Sequence, residues 1–205
     1  GRLLLDREEY PRPDTTLETL ASLPPAFEQV ASVPLNEAGD TFASEILRRY
    51  PGLEIEHVHH AGTSSGVVDG AGALLVTSPV AAKAHGWTPR ARIVATANVG
   101  DDPTLMLNAP VPAARKVLDK AGWSVEDVDL WEVNEAFACV AMFAMRDIGI
   151  PHEKINVHGG ATALGHPIGA SGSRIVVTLP LGAPLPGATG ALDAPYGSAG
   201  DTLVE

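Results

Sequence analysis

The stretch Gly159-Gly160-Ala161-Thr162-Ala163-Leu164-Gly165-His166-Pro167-Ile168-Gly169-Ala170-Ser171-Gly172 decides how the rest of the chain is read. Gly160 and Gly165 have the spacing of a phosphate-binding loop, but His166 stands where that loop needs lysine, so the phosphate reading fails. A histidine fixed by a following proline, in an uncharged glycine-rich loop before a helix, is placed to act as acid, base or hydrogen-bond donor. The alternative is a core histidine whose ring nitrogens are simply satisfied. Between Ile155 and Leu192 the only Asp, Glu, Lys or Arg is Arg174. A run that long and uncharged predicts burial, which is unusual for a glycine-rich loop.

Upstream, Val128 to Val133 reads as a strand leading into an apolar helix from Glu135 to Ile148, which leaves Asn134 at the junction. There its amide either enters the crevice at the carboxyl edge of a sheet, where ligands tend to bind, or caps the helix, with Glu135 on the positive end of the helix dipole. Further out, Ile55, Val58 and Ala73 to Val76 read as strands and Val80 to His85 as a helix. Ala91 to Val99 reads as a β-branched strand, and Val111 to Ala121 as a helix with Pro112 in its first turn and Gly122 at its end. Ile155 to Val157 suggests a short strand and Gly169 to Leu179 a helix. This alternation predicts a layered α/β domain. Residues 7 to 54 are broken by Pro11, Pro13, Pro24, Pro25, Pro34 and Pro51. A short helix over Thr16 to Leu23, capped by Thr15 or Thr16, is the regular piece there, and the segment reads as folding over a core. From Pro180 to Pro195 the chain holds four of its seventeen prolines and little strand signal.

With 205 residues, 45% hydrophobic and 19% charged, the chain can bury a core. Its formal charge of −11 argues against a nucleic-acid or anionic-membrane surface. The longest apolar run, Ala136 to Met145, is about half a membrane span, so no membrane insertion is expected. The opening residues lack the features of a secretory signal and an initiator methionine, and read as beginning inside a longer protein. The lone Cys139 excludes an internal disulfide framework and suits a reducing, cytoplasmic setting. In the middle of an apolar helical run it reads as a buried structural thiol.

Two other constellations are weaker. Gly62-Thr63-Ser64-Ser65-Gly66 matches the G-x-S-x-G elbow of serine hydrolases, with Ser64 as nucleophile, but Val67 to Gly72 is a poor helix start. A loop contacting a ligand, or a structural one, is the competing reading. His57, His59 and His60 could suggest a metal, yet in an extended segment they divide between two faces with no cysteine or carboxylate to complete a site. No metal is expected.

Three of these blocks together resemble the C-terminal half of a thiolase, an enzyme that cleaves or forms 3-ketoacyl-CoA. Ala61 to Leu75 is similar to the family's serine-containing loop, Trp131 to Ala138 to its Asn-Glu-Ala-Phe block, and Asn156 to Gly172 to its Gly-His-Pro block. The likeness runs more weakly from about Asp6 to Val177, with Arg12 to Glu18 resembling the family's loop domain. The resemblance implies one layered α-β-α half of a duplicated fold, with 1–60 as a partial loop region covering CoA and 61–205 as the C-terminal domain. It implies that His166 activates a nucleophilic cysteine and helps hold the thioester oxygen, while Asn134 fixes a water of the oxyanion hole. Ser65 would contact the pantetheine arm, with Ala136 and Phe137 near the same tunnel. No metal or redox cofactor is implied; CoA is the co-substrate, and the full-length partners are acyl-CoA and further copies in a homodimer or tetramer. Neutral donors in an uncharged pocket suit these roles, because cleaving a carbon–carbon bond beside a thioester generates an enolate.

The departures from the family are equally specific. Its nucleophilic cysteine belongs to an N-terminal half that this sequence does not include. Its second cysteine, in a Cys-x-Gly turn, would align with Ala194, and the glycine with Tyr196. Cys139 replaces neither. The expectation is therefore a thiolase acyltransferase part, acting in 3-ketoacyl-CoA thiolysis or acetyl-CoA condensation in fatty acid and lipid metabolism, and inactive alone. Its rivals are a non-catalytic paralogue that binds acyl-CoA or supports a partner subunit and, more remotely, a serine hydrolase using Ser64.

Overall fold

The structure is a computed structural model that describes residues 2–4, 6–182, 191–194 and 200–204, with side chains described through Leu179. The strands are β1 (Ile93–Asn98), β2 (Leu130–Val133), β3 (Ala191–Ala194) and β4 (Gly200–Val204), and they form one sheet in the order β1-β4-β3-β2. β4 is antiparallel to both neighbours, whereas β3 runs parallel to β2, pairing Leu130 with Ala191 and Val133 with Ala194. The tail that carries little strand signal in sequence thus supplies the middle of the sheet. Residues 183–190 and 195–199, Tyr196 among them, lie outside the described residues.

The described residues also form helices α1 (Leu17–Ala21), α2 (Glu28–Ala31), α3 (Phe42–Arg49), α4 (Pro79–His85), α5 (Pro110–Ala121), α6 (Ala138–Ile148), α7 (Ala161–Leu164) and α8 (Ser171–Gly182). α5 starts on a proline, where a missing N–H costs nothing, and stops at Gly122, whose φ of +70° suits a residue without Cβ. Trp131 and Val133 of β2 join Val117, Leu118, Val140, Ala141 and Ala144 in one buried cluster, so α5 and α6 cover that face of the strand. Side chains alternate along a strand, which turns Leu130 and Glu132 the other way, toward α8, packed on β2 and β3. α8 buries Ser171, Ile175 and Leu179, one residue per turn.

Residues 2–60 lie over this framework and contribute no buried helix residue. Threonine caps set α1 and α3: Thr16 pairs with Thr19, and Thr41 with Ser44, in reciprocal boxes. The segment rests on the loop at 59–66. Ala26 N–H donates to the His59 carbonyl at 2.9 Å, and Phe27 meets Phe137 edge-on, with centroids 5.6 Å apart.

Four expected elements differ. Ile55, Val58 and Ala73 to Val76 form no strands; Leu75 and Val76 stand over 70% exposed. Strand-forming composition is realised only against a pairing partner, and no described strand lies beside them. Ile155 makes a single parallel bridge to Trp131 rather than a strand. α6 begins at Ala138 instead of Glu135, because Phe137 is extended and bridges to Ser64. Among the described residues no helix is long and apolar enough to cross a membrane.

Candidate active site

Asn134 follows the last residue of β2 and continues its alternation on the Glu132 side. It does not cap α6: the N-cap is Phe137, with no side-chain cap bond. The extended path is held by Ser65, whose backbone N–H and hydroxyl both donate to the Ala136 carbonyl, at 3.0 and 2.9 Å. Asn134 and His166 are 2% and 6% exposed, and Asn134 Nδ2 lies 3.4 Å from His166 Nε2. The amide nitrogen can only donate, so Nε2 is the acceptor and the ring proton sits on Nδ1. Nδ1–H then donates to Ser171 Oγ at 2.6 Å, and that hydroxyl passes its own proton to the Pro167 carbonyl at 3.2 Å.

Burial holds the imidazole below its ordinary pKa, and the positive charge of Arg174 pushes the same way. The neutral ring therefore presents a lone pair at Nε2 beside the Asn134 amide. Asn134 Oδ1 is buried without a hydrogen-bond partner, an acceptor waiting for a donor.

The serine-bearing loop presses on the His166 turn from the other side. His166 N–H donates to the Gly66 carbonyl at 2.8 Å. A Cβ on Gly70 would sit 2.6 Å from Pro167, and one on Gly165, at φ +88°, 2.6 Å from Val68. Ser65 is hydrogen-bonded to the Ala136 carbonyl, and the next residue, Phe137, has its ring 5.2 Å from that of His59, centroid to centroid. Ser64 Oγ donates to the His60 carbonyl at 2.9 Å, and neither a strand before it nor a helix after it builds an elbow. Cys139 is half-buried rather than buried, and partial burial raises its thiol pKa. Among the described residues no group of three His, Cys, Asp or Glu could hold a metal ion.

Sequence reading singled out Arg174 only as an isolated charge and missed its buried counterpart. Glu132 is 2% exposed and its Oε2 lacks a hydrogen bond, as does Arg174 Nε. Burial pushes the Glu132 carboxyl up to about 7; Arg174 opposes this and Glu135 adds to it. A carboxylate inside the otherwise apolar strand Leu130–Val133 was the available signal. Ser171, Asn156 and Thr162 were likewise unassigned, being ordinary polar residues until the fold brings them together.

A model of the family described as "Thiolase, C-terminal domain" matches residues 87–191. The chain belongs to the thiolase family. The thiolase relatives include an acetyl-CoA acetyltransferase of Thiocystis violacea, 43% identical over 177 residues that make up 86% of this chain and 38% of the relative. Two solved thiolases superpose on nearly the whole chain. The acetyl-CoA acetyltransferase of Bacillus anthracis, 36% identical, gives a TM-score of 0.76 over 97% of this chain and 44% of its own. Human mitochondrial 3-ketoacyl-CoA thiolase in complex with CoA, 35% identical, gives 0.74 over 98% and 44%. The chain spans about two-fifths of the length of the curated relatives it matches, and has their layered α/β fold.

Proposed function

We propose that this chain supplies the histidine–asparagine half of an acyl-CoA acyltransferase site, for 3-ketoacyl-CoA thiolysis or the reverse condensation of acetyl-CoA. The observation that carries the reading is the buried contact between Asn134 Nδ2 and a neutral His166 Nε2. In thiolysis Nε2 takes the proton of a cysteine thiol contributed by the other half. The thiolate adds to the C3 carbonyl, and the C2–C3 bond then breaks with its electron pair passing to the acetyl-CoA enolate. Having gained its proton, Nε2 becomes a donor and can hold the thioester oxygen of that enolate. It no longer accepts from Asn134 Nδ2, which frees the amide to orient a water. The enolate carbon takes up one proton to become acetyl-CoA, and CoA, as co-substrate, takes the remaining acyl group from the cysteine, losing its thiol proton and so restoring the balance.

The rest of the reading follows from this. Residues 1–60 are a partial loop region over the CoA arm and 61–205 the C-terminal domain, with Ser65, Ala136 and Phe137 along the pantetheine path. No redox or metal cofactor is needed, and the complete protein is a cytoplasmic homodimer or tetramer. Cys139, the sole cysteine, is the wrong thiol for this chemistry, since burial raises its pKa. The test is acetoacetyl-CoA thiolysis. The chain alone should show no turnover, whereas adding the cysteine-bearing N-terminal half of a homologous acetyl-CoA acetyltransferase should produce it. His166→Ala should then cost about 100-fold or more; a loss below tenfold overturns the assignment. The lack of a second cysteine favours one alternative, a non-catalytic acyl-CoA-binding paralogue, which predicts saturable acetyl-CoA binding that His166→Ala leaves unchanged.

A further inference from the structure

The two residues of the candidate site come from segments far apart in sequence, and their contact depends on something that fixes one segment to the other. Three side chains do so. Asn156, in the left-handed region at φ +47°, donates its backbone N–H to the Trp131 carbonyl at 2.8 Å. Its amide then pairs with Val133 like a neighbouring strand: Oδ1 accepts from the Val133 N–H and Nδ2 donates to the Val133 carbonyl, both at 2.8 Å. The same Nδ2 donates to Glu135 Oε1 at 2.6 Å. Glu135 Oε2 accepts from the Thr162 backbone N–H at 3.2 Å and from the Thr162 hydroxyl. Val133 and Glu135, the residues on either side of Asn134, are therefore both bound to segment 156–162, which runs into His166.

Gly160 makes this possible. Its φ of −109° is open to any residue, so backbone conformation is not what requires glycine. A Cβ there would lie 2.1–2.2 Å from the Glu135 carboxyl atoms. The missing side chain is the seat of the carboxylate.

We propose that Glu135 is a positioning residue whose carboxylate, seated over Gly160, holds Asn134 in register with His166. The proposal rests on reading Asn134 and His166 as one site, and it gives the second residue of the Asn-Glu-Ala-Phe block and the second glycine of the Gly-His-Pro block a single shared purpose.

The test uses the 205-residue chain and the ¹⁵N signals of the His166 imidazole, which report which ring nitrogen holds the proton and which a purely structural loss of stability would not move. In the wild type Nδ1 should carry the proton and Nε2 should be unprotonated, accepting from Asn134 Nδ2. Glu135→Ala should draw the two shifts together as the Asn134 amide loses its register, and Gly160→Ala should do the same without removing a charge. In the Glu135→Ala background, Gly160→Ala should add nothing, because the collision partner is gone. Glu135→Gln keeps the shape but puts an NH₂ where one oxygen accepted; it should give an intermediate change and stands in if Glu135→Ala does not fold. Wild-type shifts in all these variants, or an equal effect of Gly160→Ala on both backgrounds, overturn the proposal. A wild-type His166 already protonated at Nε2 defeats the reading of the site itself. The expected shifts together with no thiolysis even after the cysteine-bearing N-terminal half is added leave the positioning role standing and defeat only the acyl-transfer assignment.

Discussion

Replacing Glu132 with Gln should flatten the dependence of stability on pH. In the folded chain burial pushes this carboxyl up to about 7, against an ordinary 4.5, with Arg174 opposing the rise and Glu135 adding to it. The folded state therefore holds the proton more tightly than the unfolded one. Its stabilising contribution is complete below pH 4.5 and is lost as pH rises through 7. At about 1.4 kcal/mol per pH unit, the interval between 4.5 and 7 corresponds to roughly 3 kcal/mol. Glutamine does not titrate, so the stability of Glu132→Gln relative to wild type should climb by up to that amount between pH 4.5 and pH 8. Any constant cost of exchanging the protonated carboxyl for an amide beside Arg174 appears at every pH and cancels from the slope. For a chain of this size about 2–4 °C accompany each kcal/mol, so the difference in Tm should move by roughly 6–12 °C across the range. Thermal unfolding followed by circular dichroism at half-unit pH steps reads it directly. Parallel curves for the two proteins would refute the assignment of a buried, proton-holding Glu132.

Other expectations are simpler to test. Gly165→Ala meets both a φ of +88° and Val68 at 2.6 Å, and should cost at least about 1 kcal/mol in urea unfolding; Val68→Ala should recover only the part due to collision. Ser171→Ala removes the acceptor of His166 Nδ1–H and should move the ring proton to Nε2, visible in the imidazole ¹⁵N shifts, with a stability loss of about 1–3 kcal/mol. Cys139, half-buried with a raised pKa, should react with a disulfide reagent at neutral pH far more slowly than in urea, and equal rates would contradict its placement.

The parts of the fold legible in the sequence were those in which local chemistry and tertiary context agree. Pro112 in the first turn of α5 and Gly122 at its end stand where the sequence puts them, although the helix opens one residue earlier, at Pro110. Asn134 and His166 stand in uncharged, sharply punctuated segments, and the fold brings them together. Where context overrides composition, the reading failed. Ala73 to Val76 has the residues of a strand but no partner, whereas the weakly strand-forming Ala191-Leu192-Asp193-Ala194 becomes β3 because β2 and β4 flank it. Asn134 looks like a helix cap until Ser65 captures the Ala136 carbonyl and the extended Phe137 becomes the N-cap instead. The glycines at 66, 70 and 165 are each a place where a side chain from another segment stands within 3 Å of where a Cβ would lie, which composition alone does not reveal.

The strand order has a consequence for how the molecule is made. β1 and β2 never touch; β4 and β3, which follow both in chain order, lie between them. Until Val204, opposite Ile93, has emerged, the nascent chain holds two unfinished sheet edges that can pair with any neighbour. Removing Gly200–Val204 would therefore split the platform beneath Asn134 rather than merely shorten it.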